Sequence, residues 1–218
     1  MPTTAILAIY TRREFYKLFM HQLNKFTVNE IIIINETEDD FNTTINGCKI
    51  RCYKFKEPMS SIGAKRNLLI KRCKSDYMFF FDDDDIQHYN RIERQSKLLK
   101  QYQFTYPLNC LAFNLDQNKL YQCKSGSVSE GSLALRSDCK IRFNNTSNSE
   151  GKTFTDMMQL GHAHKFHVII ALDHHLNISN RVAPDKTLHN EYHFFSLIDN
   201  WEKNWFDIEI TEGEENVS

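Results

Sequence analysis

Four consecutive aspartates, Asp82, Asp83, Asp84 and Asp85, directly follow the run Tyr77-Met78-Phe79-Phe80-Phe81. Carboxylates held that close raise one another's pKa unless a cation neutralises them, and a hard divalent ion with oxygen ligands serves that purpose. The apolar run is too short to span a membrane and reads as a fully buried strand, which puts the acids at a strand's carboxyl end. In an open α/β sheet that end is where ligands bind. The chemistry to expect is a divalent-metal site. The plainer alternative is that the acids are solvated and favour the positive N-terminus of a helix over 89–102.

Other chemistry-bearing residues cluster at predicted element ends. Gly63-Ala64-Lys65-Arg66-Asn67 offers two cations and an amide. Taken alone, a Lys-Arg pair is more often a solvated helix face. Thr153 and Asp156 stand three residues apart, the spacing of a helix cap, so Asp156 is either a cap or a general base. His174 and His175 follow a predicted strand, and His175 is the one read as able to approach a metal. His162, His164 and His167 read as surface residues near a helix end.

Hydrophobic periodicity supplies the elements that must hold these groups. Residues 5–10 (AILAIY) form a strand, followed by a helix with Phe15, Leu18, Phe19 and Leu23 inward. Residues 30–34 form a second strand, β-branched and apolar on both faces, the mark of a parallel sheet covered by helices. A shorter strand over 50–55, a helix over 60–74 and the acid-bearing strand complete a β-α-β-β-α-β half.

The second half reads as antiparallel strands over 109–115, 120–123 and 131–136, joined by hairpins. A mobile loop over 144–152, a helix over 155–164, a strand over 168–172 and an amphipathic closing helix around Phe194, Leu197, Ile198, Trp201 and Trp205 follow. Trp201, Trp205 and Tyr192 are read as core, with stacking on sugar rings as the alternative. The division expected is a single domain over 1–210, with halves at 1–105 and 106–210 and a frayed acidic tail at 211–218.

With 218 residues the chain suits one well-buried domain. A net charge of -1 argues against nucleic acid as a partner. No signal peptide or membrane-length segment is visible, so the expectation is a cytoplasmic protein without an integral membrane segment. The six cysteines lack a CxxC pair and read as free thiols of a reducing compartment.

A strand ending Tyr10-Thr11-Arg12, a second ending Asn35-Glu36, Gly63-Ala64-Lys65-Arg66-Asn67, and a strand running into Asp82-Asp83-Asp84-Asp85 together resemble the GT-A fold glycosyltransferases, especially family 2-like enzymes. The resemblance covers the first half well and the second half loosely. It departs at Thr11, where the family usually has Asn, and at Asn35-Glu36, where the family tends to have paired aspartates. It implies an α/β, Rossmann-like open mixed sheet flanked by helices, with an antiparallel acceptor-side portion. It also implies transfer of a sugar from a nucleotide diphosphate sugar, UDP favoured, to a glycan or protein hydroxyl with inversion, using Mn2+ or Mg2+.

Carried over residue by residue, the resemblance puts Thr11, Arg12, Glu36, Lys65, Arg66, Asn67, Asp82 and Asp83 on the nucleotide sugar. Metal falls to Asp84 first, then to Asp82, Asp85 and His175, and the general base to Asp156. Small enzymes of large DNA viruses look similar, which suggests a viral source. A nucleotidyltransferase, a metal-dependent nuclease and a non-catalytic sugar-nucleotide-binding domain are the competing readings. The first would show a Gly-rich phosphate loop near the first strand, where Thr11-Arg12-Arg13 stands instead, and the second would show a basic face, against which the near-neutral net charge argues mildly.

Overall fold

The computed structural model describes residues 1–57, 59–107, 110–114, 119–123, 130–147, 151–157, 160–164, 169–173 and 186–189. Its first strand, β1 (Thr4–Tyr10), runs parallel to β2 (Glu30–Asn35) on one side and to β5 (Tyr77–Asp82) on the other. Strand residues alternate between two faces, and both faces are apolar here. Ile6, Ala8, Ile31, Ile33, Phe79 and Phe81 pack with Phe19 and Leu23 of α1 (Tyr16–Asn24). Leu7, Ile32, Ile34, Met78 and Phe80 pack on the opposite face with Leu69 and Ile70 of α2 (Ile62–Arg72). The continuous apolar runs of the sequence are therefore the middle layer of a three-layer packing.

From β2 the chain continues outward through β3 (Thr44–Ile45) and β4 (Cys48–Tyr53). These two form a hairpin turned by Asn46 and Gly47, both at positive φ (48° and 79°), the geometry of a two-residue primed turn. Helix α2 then carries the chain back across the sheet to β5. The strand order reverses between β1 and β5, and such a switch point opens a crevice at the strands' carboxyl ends.

In the second half the expected antiparallel pair forms, residues 110–114 against 119–123, and so does the strand expected over 168–172, at 169–173, but other elements differ from expectation. A strand not anticipated from sequence, β7 (Phe104–Pro107), joins the main sheet. Residues 131–136 are not one strand: a 3-10 turn, Glu130–Ser132, precedes β10 (Ala134–Arg136), which pairs antiparallel with both β5 and β7. The helix expected over 155–164 is instead a short α4 (Lys152–Asp156) and then β11 (Gly161–His164), parallel to β7. Gly161 permits the pairing, since a Cβ there would lie 2.3 Å from the Phe104 ring. His162 and His164 thus sit on a strand rather than near a helix end. The eight-stranded order is β11-β7-β10-β5-β1-β2-β4-β3.

A second sheet takes β6 (Asp85–Gln87), β8 (Cys110–Asn114), β9 (Lys119–Cys123), β12 (Ile169–Asp173) and β13 (Lys186–His189), in the order β13-β9-β8-β12-β6. Within it β8 and β12 are parallel. The aspartates are the joint between the sheets: β5 ends at Asp82 and β6 begins at Asp85. They do not lead into a helix N-terminus, because β6 separates them from α3 (Arg91–Leu99). The first residues of the loop expected over 144–152 are held on α2, where Gly63 N donates to the Thr146 carbonyl at 3.0 Å. The closing helix, the aromatic residues at 192, 201 and 205, and the acidic tail lie outside the described residues.

Candidate active site

The crevice between β1 and β5 gathers most of the residues singled out by sequence. Asp83 is 1% exposed and accepts hydrogen bonds from the backbone N–H groups of Thr11 (2.6 Å) and Arg12 (2.9 Å). The Thr11 hydroxyl and the Arg12 Nε and Nη2 also donate to it. Arg12 Nη1 reaches on to Asp84 Oδ2 at 2.7 Å. Burial works against the charge on Arg12, but Asp84 and Asp83 outweigh it and hold the guanidinium firmly protonated. The end of β1 and the end of β5 are thus locked together by buried charge.

Helix α2 supplies the next layer. Ser61 caps it by accepting from Ala64 N at 3.2 Å, which fixes the first turn and turns Lys65 and Arg66 inward. Both are buried, so the pair is no solvated face. Arg66 Nη2 donates to Asp82 Oδ1 and Oδ2 at 3.1 and 3.0 Å, and its guanidinium lies 5.8 Å from the Phe80 ring centroid and 5.5 Å from that of Phe143. Lys65 Nζ donates to Glu36 Oε2 at 2.5 Å, while Glu36 Oε1 is buried without a partner among the described residues. Asn67 turns the other way. Its Nδ2 donates to the Phe143 carbonyl and its Oδ1 accepts from Phe143 N, so it ties the 143–147 segment to α2.

One element absent from the sequence reading completes the crevice. The turn Glu130–Ser132 packs Gly131 so close to the acids that a Cβ would lie 2.5 Å from Asp85 Oδ2 and 2.7 Å from Asp82 Oδ2. Two carboxylate oxygens therefore converge on a point that only glycine leaves open. Among the described residues no three His, Cys, Asp or Glu side chains form a ready-made metal cage. An all-oxygen pair is nonetheless what Mg2+ or Mn2+ takes when substrate phosphates supply further ligands. The residues present fit such an ion. The convergence singles out Asp82 and Asp85, where the sequence reading put Asp84 first.

Asp156 is not brought to this crevice. It lines a cavity of about 540 Å³ with Gln103, Lys140, Ile141, Arg142, Thr153, Met157 and Leu160. The Gln103 carbonyl accepts from Arg136 N at 2.8 Å, and Arg136 pairs with Tyr77, the first residue of β5. The cavity therefore opens at the amino end of the strand whose carboxyl end carries the acids, about 16 Å away at the rise of a β-strand. Asp156 is not part of a capping box either. Gly151 holds the N-cap of α4, and the Thr153 hydroxyl donates to the Arg142 carbonyl. His174 and His175 lie outside the described residues.

A family model described as glycosyl transferase family 2 matches residues 6–150. The chain belongs to glycosyl transferase family 2. The span that identifies it as a family 2 protein contains β1, α2, the four aspartates and Gly131, and stops just before α4.

Over 79 residues the chain is 32% identical to poly(ribitol-phosphate) beta-N-acetylglucosaminyltransferase TarP of Staphylococcus aureus, a match covering 34% of this chain and 24% of that protein. A second relative, an uncharacterized glycosyltransferase of Rickettsia bellii, is 31% identical over 80 residues, or 35% of this chain and 12% of that one. The chain thus spans a quarter or less of these curated relatives. Both are bacterial, and they lend no support to a viral source.

Among solved structures, residues 1–349 of S. aureus TarS in complex with UDP-GlcNAc superimpose with a TM-score of 0.57 at 12% identity, over 81% of this chain and 60% of that one. The UDP complex of the same protein gives 0.58 at 11% identity, over 78% and 60%. These likenesses establish the fold, an open mixed sheet flanked by helices as expected. No helix among the described residues is long and apolar enough to cross a membrane.

Proposed function

We propose that this family 2 protein transfers a sugar from a UDP-sugar to a hydroxyl of a glycan or glycoprotein, with inversion and with the help of Mn2+ or Mg2+. The observation that carries the reading is the convergence of Asp82 and Asp85 on Gly131, beside Arg12 and Arg66, at the switch point of the sheet. UDP-N-acetylglucosamine is the first donor to try, because it is bound by TarS and TarP is named for that sugar.

Breaking the bond between sugar and diphosphate leaves charge on the leaving phosphate. A divalent ion held by Asp82 and Asp85, with Asp84 beside them, would supply Lewis-acid stabilisation there. Arg12 and Arg66 already face these carboxylates, so their charge is at hand for the diphosphate when the donor enters. Thr11, at the end of β1, and the Lys65 and Glu36 pair border the nucleotide side. The family resemblance gives the acceptor proton to Asp156, but that carboxylate lines the separate cavity described above, so the assignment of the base rests on the resemblance and is not supported by the geometry.

A second reading, a sugar-nucleotide-binding domain without its own base, has one observation in its favour: Asp156 faces a cavity at the other end of the sheet. The deciding experiment is calorimetric binding of a panel of nucleotide diphosphate sugars with and without Mn2+, followed by assay of nucleotide release. Metal-dependent binding and release of UDP supports the transferase. Binding without release by any donor and acceptor pair favours the second reading, and no binding by a folded protein removes both.

A further inference from the structure

The densest set of buried polar side chains outside the acid crevice lies at the start of α3. Arg91 is fully buried, and its guanidinium sits 5.0 Å from the Phe81 ring centroid, directly before Asp82. Its Nη1 donates to the Gly131 carbonyl at 3.0 Å and its Nη2 to the Leu133 carbonyl at 3.2 Å. Nε donates to Gln95 Oε1 at 2.9 Å, and Gln95 Nε2 in turn donates to the Ser132 carbonyl at 3.0 Å. Nη1 also donates to Gln87 Oε1.

Three successive carbonyls, 131 to 133, are thus held by one Arg-Gln pair a helical turn apart. A 3-10 turn placed at the end of a strand gives its carbonyls no complete ladder to join, and buried carbonyls without donors are costly. The Leu133 carbonyl also has a strand partner, accepting from Phe80 N at 3.1 Å.

We propose that Arg91 is a positioning residue: with Gln95 it fixes the Glu130–Ser132 turn, and through Gly131 it sets the separation of the Asp82 and Asp85 carboxylates. The same turn carries a second load. Glu130 Oε1 accepts from Gly151 N at 3.0 Å, so the start of α4, the helix that bears Asp156, hangs from it. Arg91 therefore couples the donor-side acids to the acceptor-side helix through a single rigid turn. The guanidinium is suited to this because its donors point in fixed, divergent directions and its face stacks on an aromatic ring, neither of which an ammonium reproduces.

For its effect on turnover the proposal rests on the transferase reading; for its effect on structure it does not. The test uses the full chain with Arg91→Lys, which keeps the charge, and reads two quantities. Amide hydrogen exchange is expected to speed at least tenfold in segment 130–133 and at Gly151, while β1 and β2 exchange as in the wild type. With Mn2+ and UDP-N-acetylglucosamine, kcat for UDP release is expected to fall at least tenfold, while KM changes less than threefold, because Thr11, Arg12 and Lys65 are held by Asp83, Asp84 and Glu36 rather than by the turn that Arg91 binds.

Gly131→Ala, which leaves Arg91 in place and crowds the same carboxylates, is expected to lower kcat comparably without faster exchange at Gly151. Unchanged exchange in the turn of Arg91→Lys overturns the proposal. So does exchange raised equally in β1 and β2 with kcat per folded molecule unchanged, since that is a general packing role. A wild-type protein that releases no UDP from any donor sinks the transferase reading alone, and the exchange data still decide the role of Arg91.

Discussion

The two ends of the eight-stranded sheet are built on different principles. At the carboxyl ends of β1 and β5, buried carboxylates are answered by two arginines and by backbone N–H groups, and an open glycine point lies between two of the acids. Around the cavity that Asp156 lines, Asp156 is the one acidic side chain among the described residues, which include Ile141, Met157 and Leu160. The acids lie within residues 6–150, the span that the family 2 model matches, whereas Asp156 follows it, although Gln103, Lys140, Ile141 and Arg142 of the same span also line its cavity. On the transferase reading proposed above, this contrast predicts that nucleotide diphosphate binding and acceptor activation can be separated by substitution.

That separation can be broken by substitution, and the largest effect belongs at the donor end. Asp83→Ala removes the acceptor of two backbone and several side-chain hydrogen bonds and leaves Arg12 with Asp84 alone. Loss of one member of such a buried pair costs about 3–5 kcal/mol. Urea denaturation is expected to report a loss of that size, together with UDP binding weakened beyond detection. A loss below about 1 kcal/mol would show that the β1–β5 lock is not held by charge.

A smaller effect comes with acid. His88 is fully buried beside Arg94 and Lys25, with the Tyr89 ring tilted against it at 4.5 Å, and burial first, then those cations, push its pKa down to about 3 against the opposing hydrogen bond with Asn90. The unfolded chain takes up this proton near pH 6.5 and the folded chain does not, so stability is full above that value and falls as pH drops toward 3. Between pH 6.5 and 4.5 the loss is on the order of 2–3 kcal/mol. His88→Gln is expected to flatten the melting temperature over that window. An equally steep profile in the variant would place the acid sensitivity elsewhere.

The smallest effect on binding should come from the far end. Asp156→Asn is expected to leave UDP affinity within twofold of wild type while lowering transfer at least a hundredfold if Asp156 takes the acceptor proton. Weakened UDP binding would join the two ends functionally. Unaffected transfer would remove Asp156 from the reaction.

Much of the donor end was legible because its signals are local. Apolar runs such as 5–10 and 30–34 can only be buried parallel strands, and a strand running into four acids marks its own carboxyl end. The Asn46-Gly47 hairpin was equally legible in principle, since that dipeptide favours a primed turn, but the two-residue strand before it is too short to carry a pattern. Other features depend on neighbours distant in sequence. Gly131 looks like part of a strand until Asp82 and Asp85 are brought against it, and Gly161 fits a helical period until the Phe104 ring occupies the space of its Cβ. Arg91 and Gln95, one turn apart on a helix, are residue types usually left in solvent, and nothing local in the sequence shows that both are fully buried. Four-residue β7, with Thr105 between aromatics and Pro107 at its end, gives too few residues for alternation to register.

The most direct test of the account is UDP release from UDP-N-acetylglucosamine, and from the other donors of the panel, by wild-type protein and Asp82→Asn, with Mn2+ and with a chelator. The account predicts release that requires the metal and falls at least a hundredfold when Asp82 loses its charge. Release that continues unchanged in the chelator and in Asp82→Asn would contradict it, because the acids that organise the crevice would then have no part in the reaction.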